Sequence, residues 1–494
     1  MSLNQHIQKW ATETPDALAV VFGDIRFTFA ELNTRAQTAA SRLKTRYGIN
    51  AGDRVTYLGL NHPDVLSVLL ACERLGAIFN PLNSRLTATE YSYLLSNAEP
   101  TVFLVDGSLE QIAKDIPEAA GKTACIEKLA EGDADNQSLG HEFDEETALL
   151  LVYTSGTTGK PKGVVLSQGA VMANIQNCQH LYGFGPGQKV QITLPLFHVG
   201  GLCILLLPAL THGATIHLHQ RFDPIATLRD IAENKITTSI YVPAQMAAMM
   251  SLPDWQTADL FSMKYVVVGS SIIPLKQIKS FHARNIPVSQ LYGATETGPA
   301  AIGLPVDAAL DKEGSAGTVV KYCDIEIRDQ NRNVLAEGEH GDIWVRGKNI
   351  LSHYWRSPDE TAKVLVDDWY NTGDVGYVDE KGFYWIVDRS KDVVISGGEN
   401  IYPAEIELTS QEHPAISAIA VVGRKDKKWG ETPVAFVELH KDQNLSLKDY
   451  HLFLSDKLAK FKHPKALLIV EQLPRNAMGK IEKSVLRKQI NRAD

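Results

Sequence analysis

From Val55 onward, short apolar runs alternate with amphipathic stretches of helical period, and this alternation admits little besides a layered α/β architecture. Val55–Leu60 reads as a strand, Pro63–Leu75 as a helix with proline near its start and Gly76 past its end, and Ala77–Asn80 as a second strand. The rhythm returns in VQITLPL, an apolar helix, ATIHLHQ, DPIATLRDIAENK, TSIYVP, a Met-rich helix, YVVVGSS, PLKQIKSFHARN and VSQLYG. Strands without polar alternation are buried on both faces, so parallel sheets covered by helices on both sides are predicted. Upstream, Thr28 and Glu31 stand at capping-box spacing, which predicts a helix beginning there.

The pattern changes between Asp324 and Asp388, where GDIWVRG and GYVDEKGFYWIVD read as antiparallel strands, the second turning at Glu380 to Gly382. After Arg389 comes a polar break, Ser390-Lys391-Asp392, and then about a hundred residues with their own helices and strands. A chain of 494 residues, 44% hydrophobic, exceeds the roughly 250–300 residues at which one core divides. The expectation is therefore an α/β protein with a large N-terminal domain, 1–390, of stacked α/β sheets plus a β-rich subdomain, and a small α+β C-terminal domain, 391–494.

A net charge of -9 disfavours sequence-independent binding to nucleic-acid phosphates. The five cysteines, Cys72, Cys125, Cys178, Cys203 and Cys323, are too scattered for a disulfide framework, and the N-terminus lacks a signal-peptide pattern, so a cytoplasmic location is expected. The most apolar run, GLCILLLPAL from Gly201 to Leu210, is far shorter than the roughly 20 residues of a membrane span.

Chemistry is concentrated first where the apolar run Ala148 to Tyr153 meets TSGTTGKPKG. Three glycines let backbone N–H groups turn inward, the hydroxyls of Thr154, Ser155, Thr157 and Thr158 add donors, and Lys160 and Lys162 add charge. Such a loop suits phosphate oxygens, although composition alone equally allows an ordinary turn. No GxxxxGK[ST] spacing fits it, which removes the Walker A reading.

The loop instead resembles the signature of adenylate-forming enzymes, and LPLFHVGG, LYGATETG, YNTGD, DRSKD, SGGENIYP and PRNAMGKI follow in that superfamily's order. Within it the chain is similar to acyl-CoA synthetases, the branch containing fatty-acyl, aryl-acid and 4-coumarate ligases. The resemblance implies that a carboxylic acid and ATP give an acyl-adenylate and pyrophosphate, and that CoA then takes the acyl group with release of AMP, with Mg2+ as the cofactor. It also implies a mobile small domain that hinges at Lys391. A carboxylate is already ionised at neutral pH, so such chemistry calls for cations, donors and a metal rather than a general base.

By the same resemblance Thr154, Ser155, Gly156, Thr157, Thr158, Gly159, Lys160 and Lys162 hold the departing phosphates. Glu296 is the magnesium ligand, and Thr295 a donor to the α-phosphate. Tyr292, Gly293 and Ala294, with Gly269, Ser270 and Ser271, surround AMP, and Asp374 and Arg389 grip the ribose diol. Lys480 is the catalytic cation, Gly397 and Gly398 pass the thiol of CoA, and His198 stands at the mouth of the acid pocket. This chain departs from the family in carrying Asp388 where glycine precedes the arginine.

Pocket positions His198, Val199, Tyr241, Leu291 and Gly293 are mainly small or apolar. Leu291 stands where malonyl-type ligases carry arginine, so a dicarboxylate is disfavoured. FHV replaces the FDxS segment of amino-acid-activating domains, so amino acids are disfavoured too. An aryl or cinnamic-type acid and a medium-chain fatty acid both remain. The rival readings are transfer of the acyl group to an amine or carrier protein, and, from another class, a catalytically silent nucleotide-binding protein.

Overall fold

Thr28 closes a reciprocal capping box with Glu31 at the head of the helix Phe29–Tyr47, and Gly48, at φ 66°, ends it. The strand Arg54–Leu58, helix Asp64–Leu75 and strand Ile78–Leu82 follow, as the βαβ pattern predicts, to within two residues at each boundary. The computed structural model describes residues 1–132, 142–154, 161–270, 273–397, 399–475 and 480–490. Two compact units emerge, Met1–Ile325 with Trp344–Tyr370, and Glu326–Ile343 with Asn371–Asp494.

The first unit holds two sheets. One runs Thr318–Val319, Ile302–Gly303, Val288–Tyr292, Tyr265–Gly269, Thr238–Tyr241, Lys189–Ile192, Thr215–Leu218, Leu18–Phe22, Ile25–Thr28, with the six strands from Val288–Tyr292 to Leu18–Phe22 parallel. The other is built on the parallel strands Ala148–Thr154, Ile78–Leu82, Arg54–Leu58, Val102–Val105 and Thr123–Cys125. Lys162–Ser167 and then His353–Tyr354 extend its Ala148–Thr154 side antiparallel. Val55, Leu104, Leu150, Ile192, Ile216 and Ile240 lie in one buried cluster with helix residues such as Val68 and Ile175. This accounts for the uninterrupted apolar runs.

The apolar segment GLCILLLPAL is helical but not uniform. A turn of α-helix, Val199–Gly201, widens into a π-helix over Leu202–Leu206 before Leu207–Thr211 resumes. Pro208 has no N–H for the Ile204 carbonyl, and the Leu207 N–H reaches back to Leu202.

In the second unit the hairpin over Asn371–Val378 and Tyr384–Arg389 turns where the sequence predicts, the Asp379 carboxylate accepting from the N–H groups of Lys381 and Phe383. A separate sheet of Glu399–Ile401, Val394–Ser396, Gly430–Leu439, Ile416–Asp426 and Ala466–Ile469 has both faces covered. Ile419 and Val421 point into one cluster with Tyr450, and Ala420 and Val422 into another with Leu486, the two-residue period of a strand.

Candidate active site

Brought to one edge of the larger sheet are the carboxyl ends of four adjacent parallel strands, where open α/β sheets bind ligands. The register sets Gly269 opposite Leu291, Tyr241 opposite Val268, and Ile192 opposite Ile240. Residues from four separate motifs thus share a rim: Tyr292 and Gly293, Gly269 and Ser270, Tyr241, and the turn leading to His198. A Cβ on Gly269 would stand 2.7 Å from the Leu291 carbonyl oxygen, and one on Gly293 would collide with that of Pro299, so glycine is required at both. Ser270 takes the left-handed conformation at φ 76°, a strained arrangement for a non-glycine residue.

After Gly293 the chain makes a single 3-10 turn, Thr295–Thr297, ended by Gly298 at φ 86°. The Ala294 N–H donates to Thr297 Oγ1 at 2.8 Å, and the Asn349 amide donates to the Thr297 and Ala300 carbonyls. Thr295 and Glu296 are consequently held nearly buried, at 5% and 8% exposure. Glu296 Oε1 accepts from the Tyr354 hydroxyl at 2.9 Å. Burial and the neighbouring Glu296 carboxylate push the Tyr354 phenol well above its ordinary value.

At the phosphate loop, Thr154 and Lys162 are cross-strand partners, and the Thr154 hydroxyl lies 3.5 Å from the Lys162 carbonyl. Ser155, Gly156, Thr157, Thr158, Gly159 and Lys160 lie outside the described residues, as do Ser271 and Gly398. The Lys162 ammonium reaches Glu360 at 2.5 Å and lies 5.2 Å from the centre of the Tyr354 ring. Bonds from Lys162 and then Lys363 pull the Glu360 carboxyl down to about 2.

Of the expected pocket residues His198, Val199, Tyr241, Leu291 and Gly293, Val199 is 2% exposed, Leu291 6% and Tyr241 fully buried. The His198 ring accepts the Gly200 N–H on Nδ1 at 3.0 Å, capping the helical turn it precedes. The Tyr241 hydroxyl donates to Gln191 Oε1 at 2.9 Å, and Gln191 donates to Asp230 at 2.7 Å. Asp230 also meets His217 at 3.1 Å and His219 at 2.9 Å. Burial opposes ionisation of Asp230, but the bonds from His217, His219 and Gln191 outweigh it and hold the carboxyl far below its usual range. Sequence reasoning missed this network and Glu360. The alternation of His217 and His219 on one strand face was the available signal.

In the second unit Asp374 and Arg389 are direct cross-strand partners, with Arg389 Nε 2.8 Å from Asp374 Oδ1. Lys480 as a residue is exposed, but its ammonium end is desolvated. That desolvation and the Arg389 cation lower its pKa, with Asp374 and Asp392 pulling the other way. Lys391 is lowered by burial and by Arg389. Asp388, the departure from the family pattern, is buried and accepts from the Arg389 N–H at 2.7 Å and the Ala404 N–H at 2.8 Å. It thereby ties the strand end to the first turn of the helix Pro403–Ser410. Burial raises the Asp388 carboxyl despite the nearby Lys483. Gly397 stands at φ 62°, its N–H donating to the Trp429 carbonyl at 2.7 Å, and a Cβ there would meet the Trp429 ring at 2.9 Å.

Among the described residues no group of three or more His, Cys, Asp or Glu could hold a metal unaided. A single buried carboxylate, Glu296, fits magnesium, which takes one or two carboxylates and completes its shell with substrate phosphates and water. No helix of the described residues is long and apolar enough to cross a membrane.

Residues 7–355 match the AMP-binding enzyme family, and 405–480 match the AMP-binding enzyme C-terminal domain. The chain is 39% identical to an indoleacetate–CoA ligase of Aromatoleum aromaticum, over 100% of this chain and 99% of that protein. It is 34% identical to a feruloyl-CoA synthase of an Amycolatopsis species, over 98% and 99% of the two chains. The solved structure of O-succinylbenzoate coenzyme A synthetase from Bacillus subtilis, in complex with ATP and magnesium ion, superposes with a TM-score of 0.88 at 31% identity, over 98% of this chain and 99% of that one. With both family regions matched and a relative 39% identical over the whole of this chain, the chain belongs to the AMP-binding enzyme family.

Proposed function

We propose that this protein is an ATP-dependent, AMP-forming acyl-CoA synthetase acting on an aryl or cinnamic-type acid. A carboxylate oxygen of the acid attacks the α-phosphorus of ATP, the bond to the bridging oxygen of the β-phosphate breaks, and pyrophosphate departs. The CoA thiolate then attacks the acyl carbonyl, and AMP leaves with its phosphate oxygen. Lys480 and Thr295 neutralise and orient the α-phosphate, Lys162 and its loop receive the pyrophosphate, and Asp374 and Arg389 hold the ribose. Glu296 holds the magnesium, which supplies charge neutralisation to the phosphates.

The observation that carries this reading is the pairing of Asp374 with Arg389 at 2.8 Å, with Lys480 electrostatically coupled to both. A ribose grip and a phosphate-directed cation next to each other are what nucleotide activation of an acid demands. The aryl choice draws on the apolar positions Val199 and Leu291, and on relatives named for indoleacetate and ferulate. A medium-chain fatty acid is the competing substrate. Lys391 is proposed as the pivot that exchanges Lys480 for the Gly397–Gly398 segment between the two half-reactions. Cys72, Cys125, Cys178, Cys203 and Cys323 are all free thiols, which supports a reducing, cytoplasmic location.

The test is carboxylate-dependent exchange of labelled pyrophosphate into ATP across arylacetic, cinnamic, fatty and dicarboxylic acids, with and without CoA. Exchange with aryl acids and AMP release on adding CoA are expected. Absence of exchange with every acid would sink the reading, and exchange without thioester formation would move the acceptor from CoA to an amine or carrier.

A further inference from the structure

At the edge of the smaller sheet of the first unit runs a short segment, Leu351 to Trp355, tied on both sides. On one side the Leu351 N–H donates to the Glu296 carbonyl at 2.8 Å. On the other, the Ser352 N–H donates to the Val165 carbonyl at 2.9 Å and the Trp355 N–H to the Gly163 carbonyl at 2.7 Å. Tyr354 pairs with Val164 in the strand that leaves the phosphate loop. The segment thus runs from the residue assigned to the metal to the strand Lys162–Ser167. Within it the Tyr354 hydroxyl donates to Glu296 Oε1 at 2.9 Å.

We propose that Tyr354 is a positioning residue for magnesium, its hydroxyl pinning the Glu296 carboxylate with Tyr370 beside it, so that the metal carboxylate and the strand Lys162–Ser167 are kept in register. Tyr354 donates to Glu296, and the Tyr370 phenol is buried beside it. Tyr354 and Tyr370 are buried, at 4% and 5% exposure, which excludes competing water and fixes the carboxylate rotamer before metal arrives. The Lys162 ammonium, 5.2 Å from the centre of the same ring, extends the connection to a phosphate-binding cation.

This inference rests on the reading of Glu296 as the metal ligand, so the experiment separates the two. The full-length protein and its Glu296→Gln, Tyr354→Phe, Tyr370→Phe and Glu296→Gln/Tyr354→Phe variants are titrated calorimetrically with α,β-methylene-ATP, with and without Mg2+. The quantity read is the gain in nucleotide affinity that the metal brings. Glu296→Gln is expected to abolish the gain, and Tyr354→Phe to reduce it about tenfold, as loss of an outer-shell partner does. Metal-free affinity and melting temperature should stay unchanged, and the double variant should be no worse than Glu296→Gln alone. An undiminished gain in Tyr354→Phe, or an equal loss of metal-free affinity, overturns the positioning role while leaving Glu296 as the ligand. An undiminished gain in Glu296→Gln overturns both. Should Tyr354→Phe fail to fold, Tyr370→Phe supplies the same readout: a several-fold smaller gain supports the proposal, and an unchanged gain overturns it.

Discussion

Lys480 and Lys391 share a cationic neighbourhood with Arg389, and both ammonium groups are easier to deprotonate than an ordinary lysine. If Lys480 is the adenylating cation proposed above, it serves only while charged, so activity is present below its lowered pKa and is lost as pH rises through it. The alkaline limb of pyrophosphate exchange is accordingly expected below 10.5, the ordinary lysine value. Lys480→Arg should remove that limb, and Lys480→Ala should lower exchange by at least about a hundredfold, the scale of one preorganised electrostatic contact. A limb unmoved by the arginine variant would assign the titration elsewhere. Glu360 presents the opposite case, an acid engaged with Lys162, the lysine proposed for the phosphates. Glu360→Gln is expected to lower the KM for ATP about two- to fivefold, the scale of one exposed ion pair. A rise in KM would show that Glu360 steers Lys162 rather than competing for it.

At the scale of elements, the N-terminal helix Leu3–Glu13 is anchored by the Glu73 carboxylate, which accepts from the Leu3 and Asn4 N–H groups at 2.9 and 2.8 Å. On the same helix His6 lies 5.8 Å from His212, ring centre to ring centre. Burial, His212 and the N-terminal ammonium lower His6 to about 4, against only weak help from the Thr211 carbonyl. The unfolded chain therefore binds a proton that the folded one refuses, so stability is complete above about 6.5 and declines as pH falls toward about 4. His6→Gln should flatten the melting temperature over that window, which calorimetry across the range checks. Elements with local codes were legible: the Thr28–Glu31 box, the helix ended by Gly76, and the hairpin at Asp379. The π-helical widening over Leu202–Leu206 was not, because its cause is one missing N–H within an otherwise uniform apolar run.

At the scale of the molecule, the order of the motifs was readable because each is contiguous. The supports that hold them were not. Tyr354 meets Glu296 at a separation of 58 positions in sequence, and Lys162 meets Glu360 at 198. Asp388 reads in sequence as a lost glycine, whereas its side chain bridges backbone on both sides of Lys391. If Lys391 is the pivot, Lys391→Pro should keep pyrophosphate exchange, since Lys480 stays coupled to Asp374 and Arg389, and lose thioester formation. Equal loss of both half-reactions would indicate a folding defect. Gly269 and Gly293 carry a consequence for redesign. Main-chain carbonyls of Leu291 and Pro299 already fill the space that even a methyl group would need there. That rim is sealed by backbone, so a library meant to retune acid selectivity gains nothing by randomising it. If Val199 and Leu291 line the acid pocket as proposed, diversity belongs at those side-chain-bearing positions.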